Sequence, residues 1–357
     1  MRKKTNVFLA GMLIFVTAFS CSASGEVQNS PDEDPISEID KDSADPEPEI
    51  SGLGETVVSL HGQLRIDGNR IVDQNNETIQ LRGMSLFWSQ WMGQYYTPEV
   101  VSWLKEDWQV TIVRAAMGIE DYDGYLSNPE IEKQKVFTII DAAIEQGIYV
   151  IVDWHSHHAE DYEEEAKAFF TEIAQKYGNE PNIIYELYNE PLDVSWTTVL
   201  KPYHEAVLAE IRKHDPDNIV VCGTRNWSQE VDEVIGNEIE DDNVAYTLHY
   251  YAATHKQELR EKAQRALDNN IAIFVTEYGT TDYSGDGFID VEETDIWWEF
   301  LDNNNISWCN WSVADKEENS AVLKPNAATT GQWPNSDITT SGLMVREELR
   351  KKNPKFE

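Results

Sequence analysis

Two glutamates stand at the ends of apolar, strand-like runs. Glu190 closes Ile183-Ile184-Tyr185-Glu186-Leu187-Tyr188-Asn189-Glu190-Pro191, and Glu277 lies in Ile271-Ala272-Ile273-Phe274-Val275-Thr276-Glu277-Tyr278-Gly279. Pro in one case and Tyr-Gly in the other stop the strand and leave the acid at its carboxyl end. A pair of carboxylates presented this way fits the cleavage of a glycosidic bond. One protonates the leaving oxygen and the other attacks the sugar or activates water.

Elements able to hold such a pair recur along the chain. From residue 79 onward eight apolar runs are expected as strands, at 79–87, 110–117, 149–155, 182–190, 218–224, 244–251, 271–278 and 306–312. Most are continuous Val, Ile and Leu runs, as strands buried on both faces should be. Helical periodicity fills the intervals: Val136, Ile139, Ile140, Ala143 and Ile144 make one apolar face ending at Gly147, and Leu259, Ala263, Ala266 and Leu267 make another. Alternating strands and helices in this number point to a closed (β/α)8 barrel. A doubly wound open sheet would want a Gly-rich phosphate loop after its first strand, and Leu81-Arg82-Gly83-Met84-Ser85 is not one. Between His61 and Gln80, alternation around Asp67-Gly68-Asn69 and Asn75-Asn76 predicts a small hairpin closing the barrel floor.

In a (β/α)8 barrel the carboxyl ends of the strands converge on one mouth. Those ends carry, in order, Trp91, Arg114, His155, Asn189 with Glu190, Trp227, His249 with Tyr251, Glu277, and Trp311. A lone buried Arg, His or Trp is ordinarily a satisfied core residue. Eight equivalent positions filled by polar or aromatic groups are harder to explain as packing.

The wider composition narrows the partners. With 65 acidic against 28 basic residues the net charge is −37, which argues against nucleic acid or an anionic membrane surface and imposes no penalty on a neutral ligand. Arg2, Lys3 and Lys4 precede an apolar run from Val7 to Phe19 that reads as a secretory signal over residues 1–21. Cys21 directly after it fits lipid attachment, while Ala18-Phe19-Ser20 also suits ordinary signal cleavage. Residues 22–55, rich in Asp, Glu, Ser and Pro, cannot bury a core and are expected to be a disordered tether to a catalytic domain over 56–357. Cys222 and Cys309 lie in separate apolar strands, so no disulfide is expected between them.

The strand-end residues resemble those of glycoside hydrolase family 5, especially its bacterial endo-β-1,4-glucanases. The matching stretches are Leu81-Arg82-Gly83-Met84-Ser85, Val113-Arg114, Val152-Asp153-Trp154-His155, Tyr188-Asn189-Glu190-Pro191, Gly223-Thr224 with Trp227-Ser228, Leu248-His249-Tyr250-Tyr251, Thr276-Glu277-Tyr278-Gly279, Asn310-Trp311-Ser312, and Asp315-Lys316 to Ser320-Ala321. They span roughly residues 60 to 350, and one set per strand in this order is far more specific than Asn-Glu-Pro alone. The resemblance implies a secreted or surface-tethered retaining endo-β-1,4-glucanase, a monomer without a required cofactor, that acts on cellulose-like β-glucan. It implies Glu190 as the acid/base and Glu277 as the nucleophile.

Arg114 and Tyr251 are implied to hold Glu277 ionised, Asn189 to bind the sugar 2-hydroxyl, and His155 and His249 to complete the polar floor. Trp91, Trp227 and Trp311 are implied to offer faces to pyranose rings, and Lys316 and Glu318 to grip hydroxyls of a more distant sugar. Neither histidine has metal-ligand partners at suitable sequence spacing, which disfavours a metallohydrolase. Phe87 stands where related endoglucanases often have His, replacing a polar contact with an apolar one. A β-mannanase, xyloglucanase or mixed-linkage glucanase would use the same barrel, and a non-catalytic glycan-binding lipoprotein is the reading from another class.

One motif stands apart. Asp282, Ser284, Asp286, Phe288, Asp290 and Glu293 occupy ligand positions of a twelve-residue calcium loop, but the segment follows a strand rather than a helix. The alternative is a polar turn whose Asp290 and Glu293 favour the next helix's amino terminus.

Overall fold

The computed structural model describes residues 54–356. Cys21, the signal segment and nearly all of the expected tether lie outside the described residues. The described chain starts with a short helix, Val57–His61, fixed by a reciprocal cap between Thr56 and Ser59 that the sequence reading did not anticipate.

Strands β1 (Arg65–Asp67) and β2 (Arg70–Val72) pair antiparallel, turning at Gly68 with φ +63°. The backbone of Ile66 donates to Asn243 and Asn69 Nδ2 donates to the Leu267 carbonyl, 3.0 and 2.9 Å. Asn243 directly precedes the barrel strand that starts at Val244, and Leu267 lies at the end of the helix Gln257–Asp268 that leads into the next one, so the hairpin covers the floor, as expected.

Each of the eight apolar runs matches one barrel strand, three of which end one residue later than expected: β3 (Arg82–Leu86), β4 (Ile112–Gly118), β5 (Tyr149–His155), β6 (Ile183–Glu186), β7 (Val220–Cys222), β8 (Val244–Tyr251), β9 (Ile273–Gly279) and β10 (Trp308–Val313). They close in sequence order, β10 pairing with β3, and every pair is parallel. The chain is therefore a (β/α)8 barrel. Val136, Ile139, Ile140 and Ala143 are buried on the helix Pro129–Gln146, which stops at Gly147 with φ +64°. Cys222 and Cys309 are free and buried, so the two-strand separation inferred for them holds.

Two strand boundaries matter for the site. Glu277 lies inside β9, whereas β6 ends at Glu186 and Glu190 follows on the loop. That loop nevertheless continues the barrel edge. The backbone of Asn189 donates to the Trp154 carbonyl and that of Glu190 to the Ser156 carbonyl, both at 3.2 Å.

Candidate active site

Arg114, fully buried on β4, organises the floor of the mouth. Its Nε and Nη2 donate to the two oxygens of Glu186 at 2.7 and 3.1 Å, Nη2 also meets Asn189 Oδ1 at 2.6 Å and Asp153 Oδ2 at 2.9 Å, and Nη1 donates to Glu277 Oε2 at 3.0 Å. Burial alone would discourage the charge, but Asp153, Glu186 and Glu277 hold the guanidinium firmly protonated. Asn189 thus gives its oxygen to Arg114, and its Nδ2 is the end able to meet a sugar hydroxyl.

Glu277 receives a second donor, the Tyr251 hydroxyl at 2.8 Å on Oε1. In the β8–β9 register, His249 lies opposite Glu277 and Tyr251 opposite Gly279. A Cβ at Gly279 would fall 2.3 Å from the Tyr251 ring, so glycine is what lets the tyrosine lie across the strand toward the carboxylate.

Glu190 has different company. His249 Nδ1 sits 3.0 Å from its Oε1 and His157 Nε2 3.2 Å from its Oε2. The other nitrogen of His249 is 2.9 Å from Thr276 Oγ1 and 3.8 Å from Glu186. Burial works against a charged His249, yet Glu186 and Glu190 raise its pKa to about 9. Burial would also raise Glu190, but the hydrogen bonds from His157 and His249 outweigh it and pull the carboxyl down to about 2. Glu277 moves the other way, raised by burial and by the facing Glu190 despite His249 and Arg114. The cluster sets Asp153, Glu186, Glu190 and Glu277 against Arg114 and a protonated His249. Excess buried negative charge is unfavourable, and burial among these carboxylates raises Asp153 well above the usual carboxylate range even beside Arg114.

One ligand-capable atom from each of Glu190, His249 and Glu277 lies within 4.8 Å of the others. Folding brings these three together although their linear spacing keeps them apart. The Arg114 guanidinium already bonded to Glu277 makes this trio a poor seat for a cation.

Around the carboxylates the cleft has two lobes that share His157, Glu190, Tyr251 and Tyr283. One, of about 230 Å³, is walled by Phe87, Trp88, Trp91, Trp311, Lys316 and Glu318; the other, of about 570 Å³, by Trp227, Asn226, Gln229 and His255. Trp91 and Trp227 are 46% and 45% exposed, open rings as expected, with Trp88 stacked behind Trp91 at 5.0 Å. Trp227 is delivered by three consecutive left-handed residues, Asn226, Trp227 and Ser228, with φ of 59°, 57° and 56°. Non-glycine residues held there cost about 1–3 kcal/mol each and concentrate where strain serves a function.

Trp311 differs from these two rings: it is 6% exposed, stacked on His155 at 5.2 Å and packed on Phe87 at 5.0 Å, and it forms a wall of the smaller lobe. His155 in turn is held by Asp153 Oδ2, 2.6 Å from its Nδ1. Lys316 and Glu318 both reach the smaller lobe but bond each other at 2.5 Å, with the ammonium 5.4 Å over the Phe87 ring.

The calcium-loop residues are arranged as the turn. Asp290 caps the helix Val291–Asn303 by accepting from Glu293 N at 3.1 Å and pairs with Lys256 at 2.9 Å, while Glu293 pairs with Arg260. Asp282 accepts from its own loop at Ser284 N, 3.0 Å. Asp286 and Phe288 join no cluster of three or more metal-ligating side chains among the described residues. Four functional neighbours went unread in the sequence: Asp153, Glu186, His157 and Trp88. The first two carried a signal, since a carboxylate inside an apolar strand must find a partner.

The sequence model of the family described as Cellulase (glycosyl hydrolase family 5) matches residues 72–317. This chain belongs to glycoside hydrolase family 5. Among its family 5 relatives, Endoglucanase Z of Dickeya dadantii is 47% identical over 290 residues, 80% of this chain and 66% of that protein. The chain thus spans just under two thirds of that relative's length. A solved structure from Cytophaga hutchinsonii is 56% identical, with 84% of this chain and 98% of that one covered and a TM-score of 0.83. The catalytic domain of a Thermobifida fusca endoglucanase, solved with cellotetraose, is 34% identical over 83% of this chain and all (100%) of that one, with a TM-score of 0.80. The barrel described above is the family 5 fold, and Glu190 and Glu277 both line the smaller lobe of its cleft.

Proposed function

We propose that the chain is a retaining endo-β-1,4-glucanase that cuts internal bonds of cellulose-like glucans. The observation that carries this is the pairing of Glu190 and Glu277, which approach within 4.8 Å between two lobes of one cleft. Carboxyls this close suit direct attack on the sugar, because an inverting pair stands roughly 6.5–9.5 Å apart to admit water. The cellotetraose held by the Thermobifida fusca relative supports a β-linked glucose chain as the ligand.

Glu277 is the nucleophile. The donors on its two oxygens, Arg114 and Tyr251, aim it and favour its charged form. Glu190, reached from the larger lobe, is the acid/base. In the free site its proton rests on the neighbouring imidazole, since His249 holds a proton up to about pH 9 while Glu190 gives its own up near 2. A glucan laid across the cleft excludes water and penalises the ion pair, so the proton passes along the 3.0 Å bond to Glu190. Glu190 then protonates the departing oxygen as Glu277 attacks the anomeric carbon. In the second step Glu190 takes a proton from water that releases the sugar from Glu277.

Every step uses side chains of the chain itself, and the loop from Asp282 to Glu293 enters as a turn. The basic, apolar start and Cys21 support secretion with a lipid tether at a bacterial surface, the barrel acting as a monomer. Parallel digestion of carboxymethylcellulose, glucomannan and xyloglucan, with the anomer of the first product read by NMR, tests the reading. Release of β-anomeric cello-oligosaccharides is expected. A preference for mannan or xyloglucan, or an α-anomeric first product, would overturn it.

A further inference from the structure

Tyr283 belongs to no expected set of site residues, yet it borders both lobes of the cleft together with Glu190 and Tyr251. Its side chain is 75% exposed and, among the described residues, makes no hydrogen bond and no ring contact. Tyr122 and Phe288 are also exposed aromatics, but neither borders the cleft.

The backbone beneath the ring is held firmly. Tyr283 N donates to Thr254 Oγ1 at 3.0 Å, Gly285 N to the Asp282 carbonyl at 3.0 Å, and Ser320 N to the Gly285 carbonyl at 2.9 Å. Asn319 Nδ2 reaches the carbonyls of Asp286 and Gly287 at 3.1 and 3.0 Å. Gly285 sits at φ +79°, where a side chain would be strained, and a Cβ there would fall 2.9 Å from Ser320 Oγ and 3.3 Å from Glu318 Oε2. A tethered loop that leaves one aromatic ring unpartnered beside the catalytic carboxyls loses little freedom when a ligand covers that ring.

We propose that Tyr283 is a sugar-stacking residue at the junction of the two lobes, presenting its ring to a β-linked pyranose chain between the platforms of Trp91 and Trp227. The inference rests on the glucanase reading and deepens it. It also gives the acidic turn a use: Asp282, accepting from Ser284 N and Oγ, fixes the residue that follows it in the chain.

The test is calorimetric binding of cellohexaose in a Glu277→Gln background, which leaves the chain uncut. Adding Tyr283→Ala should raise Kd roughly tenfold, the equivalent of about 1.4 kcal/mol. Tyr283→Phe should stay within about twofold, because the face and not the hydroxyl makes the contact. Unchanged binding by Tyr283→Ala overturns the proposal. Equal weakening by Ala and Phe overturns it too, since the hydroxyl would then be the ligand. A fall in melting temperature matching the loss of affinity would do the same by assigning the ring to the loop's stability. If the Glu277→Gln parent binds no cellohexaose, the glucanase reading itself falls, which is a separate result from a parent that binds and a Tyr283 variant that binds equally well.

Discussion

The two ends of the barrel both carry acidic side chains around a hollow, and they are built to opposite purposes. At the floor a cavity of about 590 Å³, bordered by Asp67, Glu238, Asp241 and Asp242, is larger than either lobe of the mouth. Its central carboxylate is already spent: Asp241 takes Arg212 through both oxygens at 2.8 and 2.9 Å and accepts the backbone of Asn243 at 2.9 Å. At the mouth, by contrast, Arg114 is shared by three carboxylates, Glu190 is held only by imidazoles, and tryptophan rings stand open. Volume alone does not mark a site. Groups that converge and remain partly unmatched do.

The sharpest way to break this contrast is at Glu277. Glu277→Ala should cut turnover by roughly four orders of magnitude or more. Azide should rescue it and give the α-glycosyl azide, because a small anion replaces the nucleophile on the opposite face. Rescue yielding the β-azide would remove Glu277 from its role. Glu190→Ala should spare the first step only for aryl cellobiosides with good leaving groups, as stopped-flow bursts would show.

Next comes pH. Loss of the proton from His249 should bring kcat/KM down above about pH 9, and His249→Asn should shift that limb to lower pH. The same imidazole has a folded pKa raised from 6.5, so its stabilising contribution is full below that value and lost as pH climbs through about 9. Thermal melts across pH 6 to 10 measure it. An alkaline limb unmoved in His249→Asn would leave the proton path without support.

Trp311→Ala should lower turnover and stability together, by about 3 kcal/mol in the second case, because the indole is both cleft wall and packing for His155. Urea unfolding set beside kinetics on long glucans separates the two effects. At the floor, Asp241→Asn should cost about 1–2 kcal/mol of stability through its Arg212 pair and leave kcat/KM unchanged. A catalytic defect there would dissolve the distinction between the ends. Smallest of all, chelation by EDTA should leave both melting temperature and activity where they were, since Asp290 and Glu293 are engaged by the helix end and by Lys256 and Arg260.

Much of this was legible in advance because barrel strands buried on both faces leave unbroken Val and Ile runs, and because a carboxylate that ends such a run is conspicuous. Glu190, Glu277, Arg114 and Tyr251 came into view that way, and all four meet at the mouth. Two kinds of fact stayed hidden. Contacts between residues distant in sequence, such as His157 and His249 on either side of Glu190, depend on closure of the barrel. The orientation of a ring depends on its neighbours: nothing in Asn310-Trp311-Ser312 says that the indole stacks on His155, whereas the exposure of Trp227 follows from a local turn.

That turn also joins two parts of the catalytic cleft. Asn226 N and Trp227 N donate to the carbonyls of Leu192 and Pro191 at 3.0 and 2.8 Å, and Ser228 Oγ to the carbonyl of Asn189 at 2.8 Å. The three bonds bracket Glu190 on both sides. Whatever thermal displacement the rim undergoes, the indole that would carry the departing sugar and the carboxyl that would protonate its oxygen ride on one chassis. The span between them is therefore set by the backbone itself, and a leaving group meets its proton at a constant reach.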